Sequence, residues 1–275
     1  MARKRQAAIA ALITLGTTLV PASIASAAPV PAAAATPAVA AASAAPAAAP
    51  LASPDDPGTF VAPRATVKLG SSGAAVRTLQ RRLNELGYYV GKVDGRYGGA
   101  TQAAVWAFQK VQGLPVSSRV NRSVWRALEN PKQPKALVPR GRPYRVEVNL
   151  TKQLMVLYRD GRPQLISHIS SGSGIPYREW KVWNGKRQLF TGSARTPTGD
   201  FRTTWRRSGW HRSYLGELYN PIFFYGGIAL HGSLSVPLYP ASHGCVRLPM
   251  HVAQVLPKML GTGVPVHVRG AFRRA

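Results

Sequence analysis

The chain contains a single cysteine, Cys245, which lies in the stretch IALHGSLSVPLYPASHGCVRLP, residues 228–249. Two of the six histidines, His231 and His243, lie in the same stretch. A cysteine that attacks a carbonyl carbon needs a base to accept its proton and donors to stabilise the oxyanion. His231 precedes Cys245 by 14 residues, a loop-sized separation that can bring two strand ends together. The pattern indicates acyl transfer through a cysteine, with His231 as the candidate base.

Glycines stand beside both candidate reactive residues. Gly232 follows the histidine and Gly244 precedes the cysteine, and a residue without a Cβ allows another backbone to approach closely. A tight turn at Gly244 would expose backbone N–H groups near the thiol, and we expect these to form the oxyanion hole. No Asp or Glu follows Glu217 in the sequence. The group that orients the base is therefore either a backbone carbonyl or the distant Asp200.

Two alternatives to a catalytic cysteine remain open from the residues alone. Cys245, His231 and His243 could ligate zinc, but ligands two residues apart are uncommon and no acidic or second cysteine ligand is near. The thiol could also be buried and inert. We expect no metal and no cofactor. The remaining histidines are interpreted as structural or solvated: His168, His211, His251 and His267.

The first 27 residues have the layout of a secretory signal peptide. A basic start, Arg3-Lys4-Arg5, precedes an apolar run from Ala7 to about Val20 and a small-residue site that ends at Ala27. The run is shorter than the ~20 residues of a membrane span, so we expect removal of residues 1–27 and no membrane span afterwards. Residues 28–65 are rich in Ala and Pro, which predicts a disordered linker.

The charge favours anionic partners. The formal net charge is +26, and loss of the three basic residues of the signal leaves +23. A field of this sign attracts polyanions, but the positive residues are scattered along the chain. Because the protein is expected to be exported, we predict anionic cell-wall polymers as partners and not nucleic acid. We also expect a monomer.

Helical periodicity predicts a small three-helix domain over residues 66–130. Val76, Leu79, Leu83 and Leu86 recur at helical spacing, with Gly87 as the stop. Further helices are expected to begin at two candidate caps, Thr101 and Ser123. The segment contains no histidine or cysteine, so catalytic chemistry is not expected in it.

A Pro-rich linker, residues 131–142, separates this domain from a mainly-β domain at 143–269. Three segments predict the strands of a β-meander. Apolar and polar residues alternate over 145–150, and apolar segments follow over 154–158 and 165–169. One helix is expected around residues 252–259 and a closing strand around 264–268. We expect the catalytic domain to react with soluble substrate when the helical domain is absent.

The helical segment resembles the peptidoglycan-binding domain 1 family. The similarity lies in GAAVRTLQRRL, LGYY, VDGRYG, TQAAVWAFQ and GLP. The resemblance implies binding of peptidoglycan. A passive spacer is the alternative.

The second domain resembles the L,D-transpeptidase catalytic domain of the YkuD type, over residues 143–269. The similarity lies in TPTGDF (196–201), FFYGGIALHG (223–232) and SHGCVRLP (242–249). It implies a β-sandwich-like fold and peptidoglycan crosslinking. The resemblance places the nucleophile on Cys245, the base on His231 and the base-orienting carbonyl on Gly232, with His243 in the nucleophile loop. The residues expected to bind substrate or support that loop are Tyr225, Ser242, Gly244 and Arg247.

The sequence therefore predicts an exported two-domain enzyme that crosslinks stem peptides of peptidoglycan through a cysteine thioester. Three other functions are considered: an L,D-carboxypeptidase using the same site, a non-catalytic wall-binding protein and a general polyanion binder. The segment 174–195 is long, and its Tyr177, Trp180 and Trp183 form either a substrate lid or a local packing cluster.

Overall fold

The computed structural model describes residues 60–272. The predicted signal peptide and most of the predicted linker 28–65 lie outside the described residues. The helices are α1 (Ala74–Glu85), α2 (Gly99–Gln112), α3 (Arg122–Glu129) and α4 (Met250–Met259). The strands are β1 (Val67–Lys68), β2 (Arg119–Val120), β3 (Arg145–Asn149), β4 (Leu154–Arg159), β5 (Arg162–His168), β6 (Pro176–Trp183), β7 (Lys186–Ser193), β8 (Gly199–Arg202), β9 (Trp210–Ser213), β10 (Gly216–Tyr225), β11 (Ile228–Gly232), β12 (Val246–Leu248) and β13 (Pro265–Arg269). No helix within residues 60–272 has the length and apolar character that a membrane crossing requires.

The first three helices form the predicted helical bundle, joined by a short β1–β2 pair. Val76, Leu79 and Leu83 are buried along one face of α1, as their spacing predicts. Gly87 has a φ of 81°, a left-handed conformation that glycine adopts without strain. The helix and its stop are therefore confirmed.

The two predicted helix caps were wrong. Thr101 lies inside α2, which begins at Gly99, and its hydroxyl accepts a hydrogen bond from Gln80. The third helix is capped by Asn121, whose side-chain oxygen accepts from the backbone N–H groups of Ser123 and Val124. Because α3 begins at Arg122, Ser123 lies inside the helix and the N-cap position falls on Asn121, a residue type that is favoured there. Periodicity identified the helices, but hydrogen bonding set their first residues.

The second domain is mainly β, as expected. Strands β5, β4 and β3 form the predicted meander within a five-stranded sheet of order β5-β4-β3-β13-β8. A four-stranded sheet of order β12-β11-β10-β9 faces it. Apolar residues from both sheets and from α4 share one core, which includes Val146, Leu157, Leu230, Leu256 and Val266. Burial of this core determines which side chains of each strand point inward and which point to the opposite face of the sheet.

The helical bundle packs directly on the outer face of the five-stranded sheet. Its core continues into Leu154, Val156, Tyr158 and Ile166 of β4 and β5. Full burial of an apolar side chain of this size contributes about 1.5–3 kcal/mol, so the sheet gains stability from the bundle. This contact was not expected from two domains joined by a linker.

The segment 131–142, predicted as a linker, is held against the sheet. The backbone N–H groups of Leu137 and Val138 donate to the carboxylate of Glu147 at 2.6 and 3.3 Å. Arg145 pairs with the same carboxylate at 2.7 Å. The polar face of β3 is therefore covered by chain and not by water. The domain boundaries at 66–130, 131–142 and 143–269 remain predictions.

Candidate active site

Two neighbouring strands bring the candidate nucleophile and base to one face of the four-stranded sheet. β11 and β12 are parallel, with Leu230 opposite Val246 and His231 opposite Arg247. Leu230 and Val246 point into the core. Because side chains alternate along a strand, His231 and Arg247 lie on the other face. Cys245, directly before β12, shares that face and packs against a small apolar cluster outside the main core.

The ring of His231 is held by the backbone of the next residue. Its Nδ1 lies 2.9 Å from the carbonyl oxygen of Gly232. Because a carbonyl only accepts hydrogen bonds, Nδ1 carries the proton and Nε2 is left as a proton acceptor. Burial lowers the pKa of His231 to about 4, and the charge of Arg247 acts in the same direction, against the hydrogen bond to Gly232. The ring is therefore neutral near pH 7 and able to accept a proton.

Cys245 is a free, partly exposed cysteine. Its Sγ lies 3.7 Å from the carbonyl oxygen of Gly227, which sits in the turn between β10 and β11. Withdrawal from water raises the pKa of the thiol, while a hydrogen bond from the backbone of Ala229 and the charge of Arg247 act in the opposite direction. Near pH 7 these shifts favour a neutral thiol and a neutral imidazole on the same face of the sheet. Such a pair can transfer a proton in the same step in which sulfur attacks a carbonyl.

The turn before Cys245 is fixed by hydrogen bonds from two hydroxyl groups. Gly244 has a φ of 132°, where a side chain would be strained. Its N–H donates to the Ser242 hydroxyl at 3.0 Å, which donates in turn to the carbonyl of Cys245 at 2.5 Å. The hydroxyl of Thr196 donates to the Gly244 carbonyl at 2.6 Å and accepts from the N–H of Gly172 at 2.8 Å.

The oxyanion hole expected at this turn remains a prediction, but one N–H group of the turn is already engaged. The N–H of Gly244 is occupied by Ser242, so it is not free to stabilise an oxyanion in this arrangement. Thr196 was missed as a supporting residue although it opens the TPTGDF motif. Its position in that motif was the available signal, but the contact joins positions 48 residues apart, and nothing local predicts it.

His243 faces a different element from His231. Its ring lies 5.0 Å from the ring of Tyr177 in an edge-to-face arrangement, and its Nε2 lies 3.3 Å from a carboxylate oxygen of Glu179. Hydrogen bonds from Lys181 and then from His243 lower the pKa of Glu179. Within residues 60–272, His, Cys, Asp and Glu side chains do not gather in groups of three that could hold a metal ion.

The segment 174–195 is a hairpin formed by β6 and β7. Trp183 and Phe190 pack on Tyr214, with ring centroids 6.4 and 4.3 Å apart, and Tyr177 packs on His243. These contacts favour the packing interpretation for Tyr177 and Trp183. Trp180 differs because it is 57% exposed, with the guanidinium of Arg187 over its ring at 4.8 Å.

The other residues predicted to bind substrate have contacts of their own. Arg247 exchanges backbone hydrogen bonds with Ser170 at 2.9 and 3.1 Å. Tyr225 is exposed at the end of β10, with its ring 5.0 Å from that of Phe201. The substrate-binding roles of Tyr225, Arg247, Ser242 and Gly244 remain predictions.

Asp200, the alternative orienting group, is engaged elsewhere. Its carboxylate accepts from the ring of His267 at 2.6 Å and from Arg269 at 2.5 Å. Both partners lie on β13, in the five-stranded sheet. The Gly232 carbonyl is therefore the group that contacts the candidate base.

Comparison with known proteins identifies a family for each of the two domains. The peptidoglycan binding domain family matches residues 72–128, and the L,D-transpeptidase catalytic domain family, YkuD, matches residues 143–268. A spore cortex-lytic enzyme of Bacillus cereus is 48% identical over 50 residues, which are 18% of this chain and 19% of that protein. The chain thus spans about a fifth of the length of this curated relative.

One solved structure is similar over both domains. The L,D-transpeptidase of Xylanimonas cellulosilytica, solved for residues 123–326, is 40% identical, with a TM-score of 0.66. The match covers 76% of this chain and 99% of that one. With a helical N-terminal part, a mainly-β second domain and the matching catalytic-domain family, the chain belongs to the L,D-transpeptidases.

Proposed function

We propose that this protein forms L,D crosslinks between stem peptides of peptidoglycan through a thioester on Cys245. The observation that carries the proposal is the placement of Cys245 and His231 on one face of two paired strands. The hydrogen bond from His231 to the Gly232 carbonyl leaves Nε2 free to act as the base.

The first half-reaction is acylation. Nε2 of His231 accepts the thiol proton as Sγ attacks the carbonyl carbon between the L-centre and the D-residue of the donor stem. The C–N bond then breaks, and the imidazolium returns the proton to the leaving amine. The products are a thioester on Cys245 and a free D-amino acid.

The second half-reaction resolves the thioester. An amine of the acceptor stem attacks the thioester carbon, His231 accepts the amine proton, and the C–S bond breaks with return of that proton to sulfur. The result is an L,D crosslink and the original enzyme. If water replaces the amine, the same steps give an L,D-carboxypeptidase.

The remaining features support a wall location. The helical bundle belongs to a family described as peptidoglycan binding, and the basic composition favours anionic wall polymers. The basic, apolar and small-residue order of residues 1–27 supports export. Together they describe an enzyme that acts on the wall outside the membrane.

The test uses purified tetrapeptide muropeptides incubated with the protein and separated by liquid chromatography with mass detection. We expect dimers that lack one terminal D-amino acid, and free D-amino acid in equal amount. Tripeptide monomers in place of dimers would establish the carboxypeptidase. Unchanged tetrapeptides would contradict both enzymatic functions and leave a binding protein.

A further inference from the structure

A lysine of the helical bundle reaches into the second domain. Lys110, on α2, places its Nζ 2.9 Å from the carbonyl oxygen of Gln153 and 2.8 Å from Nδ1 of His168, on β5. The ring of Trp106 stands edge-on to the His168 ring at 5.3 Å. The ion pairs formed within residues 60–272 do not include Lys110. Burial lowers its pKa to about 7.

A buried cation without a carboxylate partner is costly, so its contacts need an explanation. The bundle needs only apolar groups to pack on the sheet, and it has them in Leu154, Val156 and Ile166. Lys110 supplies hydrogen-bond donors, and one of them lies at Nδ1 of His168.

The contact determines which nitrogen of His168 carries the proton. The carbonyl oxygens of Gln153 and Val236 only accept hydrogen bonds, so Nζ of Lys110 donates, Nδ1 of the ring accepts and the ring proton lies on Nε2, whether Lys110 is charged or neutral. That Nε2 lies 2.9 Å from the carbonyl oxygen of Val236. Burial, followed by the charge of Lys110, lowers the pKa of His168 to about 4, so the ring has one proton near pH 7. The proton is thereby directed to Val236.

Without Lys110, a second tautomer of His168, with its proton on Nδ1, becomes accessible. The carbonyl oxygen of Gln153 accepts from the same Nζ that bonds Nδ1 of the ring, and it acts to raise the pKa of His168. If Nδ1 takes the proton to bond that carbonyl, the lone pair of Nε2 faces the carbonyl oxygen of Val236 and the hydrogen bond becomes a repulsion.

Val236 lies in the segment that joins the candidate base to the candidate nucleophile. Residues 233–242 run from the end of β11 to the turn before Cys245. Other bonds hold the later part of this segment: the Ser170 hydroxyl donates to the Tyr239 carbonyl at 2.7 Å, and the Ser171 carbonyl accepts from two N–H groups at 3.0 Å. Nearest the base, the N–H of Ser233 donates to the carbonyl of Leu248 at 3.0 Å, and His168 supplies the next anchor along the segment, at Val236.

We infer that Lys110 is a positioning residue for the transpeptidase site, because it orients His168 to hold Val236 and thereby the segment between His231 and Cys245. The inference rests on the proposed function and extends it, since it makes the helical bundle part of the catalytic unit. It adds to the expectation that the second domain reacts with soluble substrate without the bundle, because that reaction should be slower when Lys110 is absent.

The test measures acylation of the purified protein by the carbapenem imipenem, as adduct formed against time over a range of concentrations. Lys110→Met is expected to lower the maximal acylation rate constant by about tenfold, as for loss of one positioning hydrogen bond, with half-saturation changed less than about threefold. Lys92→Met, at an exposed lysine of the same bundle, is the matched control and should keep the rate. Rates are expressed per titrated thiol of folded protein.

A double-mutant cycle separates positioning from simple support of the fold. Gln at position 168 supplies one acceptor and one donor without tautomers, so His168→Gln should retain most of the rate. In the His168→Gln background, Lys110→Met should cost less than about threefold, because no ring proton remains to direct. His168→Leu, which removes the anchor from the other side, should lower the rate as Lys110→Met does.

Three results would overturn the inference. They are an unchanged rate in Lys110→Met, an equal loss in both backgrounds, and a normal rate in His168→Leu. The last variant decides the matter if Lys110→Met does not fold. Absence of any adduct with the unmodified chain would instead remove the proposed function, and this inference with it.

Discussion

The buried neutral state of His231 predicts how the protein responds to acid. In an unfolded chain a histidine titrates near pH 6.5, whereas burial lowers the pKa of His231 to about 4. A group whose folded pKa is depressed in this way binds a proton more readily when the chain is unfolded. This contribution to the free energy of unfolding is present in full above about pH 6.5. It is lost progressively as the pH falls from about 6.5 to about 4.

The size of the effect follows from the shift. Each pKa unit corresponds to about 1.4 kcal/mol, so His231 alone is expected to cost about 3 kcal/mol of unfolding free energy between pH 7 and pH 4. His231→Gln cannot titrate and should lose about 3 kcal/mol less over the same interval. Urea unfolding of both proteins at pH 7 and pH 4 gives the two differences. Every other titrating group is common to the two proteins and cancels in the comparison.

Acylation should follow the same ionisation. The carbapenem acylation rate constant of the unmodified protein is expected to stay level from pH 7 to about pH 5 and to fall with a midpoint near pH 4. A midpoint near 6.5 would show that His231 is an ordinary solvated histidine. Equal acid sensitivity of the unmodified protein and His231→Gln would refute the reasoning from the stability side.

Three further substitutions test the supports of the site. Gly232→Ala places a Cβ 2.8 Å from a methyl group of α4, so it should lower the unfolding free energy by about 1–3 kcal/mol and slow acylation; unchanged urea midpoints would contradict this. Thr196→Val removes the hydroxyl that bridges two loops at Gly244 and should cost about 1–3 kcal/mol by the same assay, whereas Thr191→Val on the exposed hairpin should cost little. Asp200→Asn should leave the acylation rate within about tenfold, below ~1.4 kcal/mol, and a loss of several orders of magnitude would mean that a carboxylate orients the base.

Local patterns were sufficient for the elements. The helical spacing of Val76, Leu79 and Leu83 and the three apolar runs of the meander each depend on neighbours within a few residues, and each gave the right element. The spacing of His231 and Cys245 likewise indicated a pair, because the connection of residues 233–245 is long enough to return the chain to a neighbouring parallel strand.

Contacts between residues far apart in the chain could not be predicted from local patterns. Arg145 and Glu147 alternate with buried valines, yet both are buried because residues 137–138 cover them. His168 reads as an ordinary strand residue, and its connection to Lys110 spans 58 positions. The hairpin of residues 176–193 has its partners in Tyr214 and His243, so its aromatic residues could be assigned to packing only with the fold in hand.

The central claim is a covalent intermediate on Cys245, and intact mass spectrometry tests it most directly. The protein is mixed with a tetrapeptide stem and quenched in acid after short times. We expect a mass increase equal to the stem without its terminal D-amino acid. The increase should map to Cys245 and be absent from Cys245→Ser, whose circular dichroism should be unchanged. Turnover of the stem by Cys245→Ser at the normal rate, or an adduct on any other residue, would contradict it.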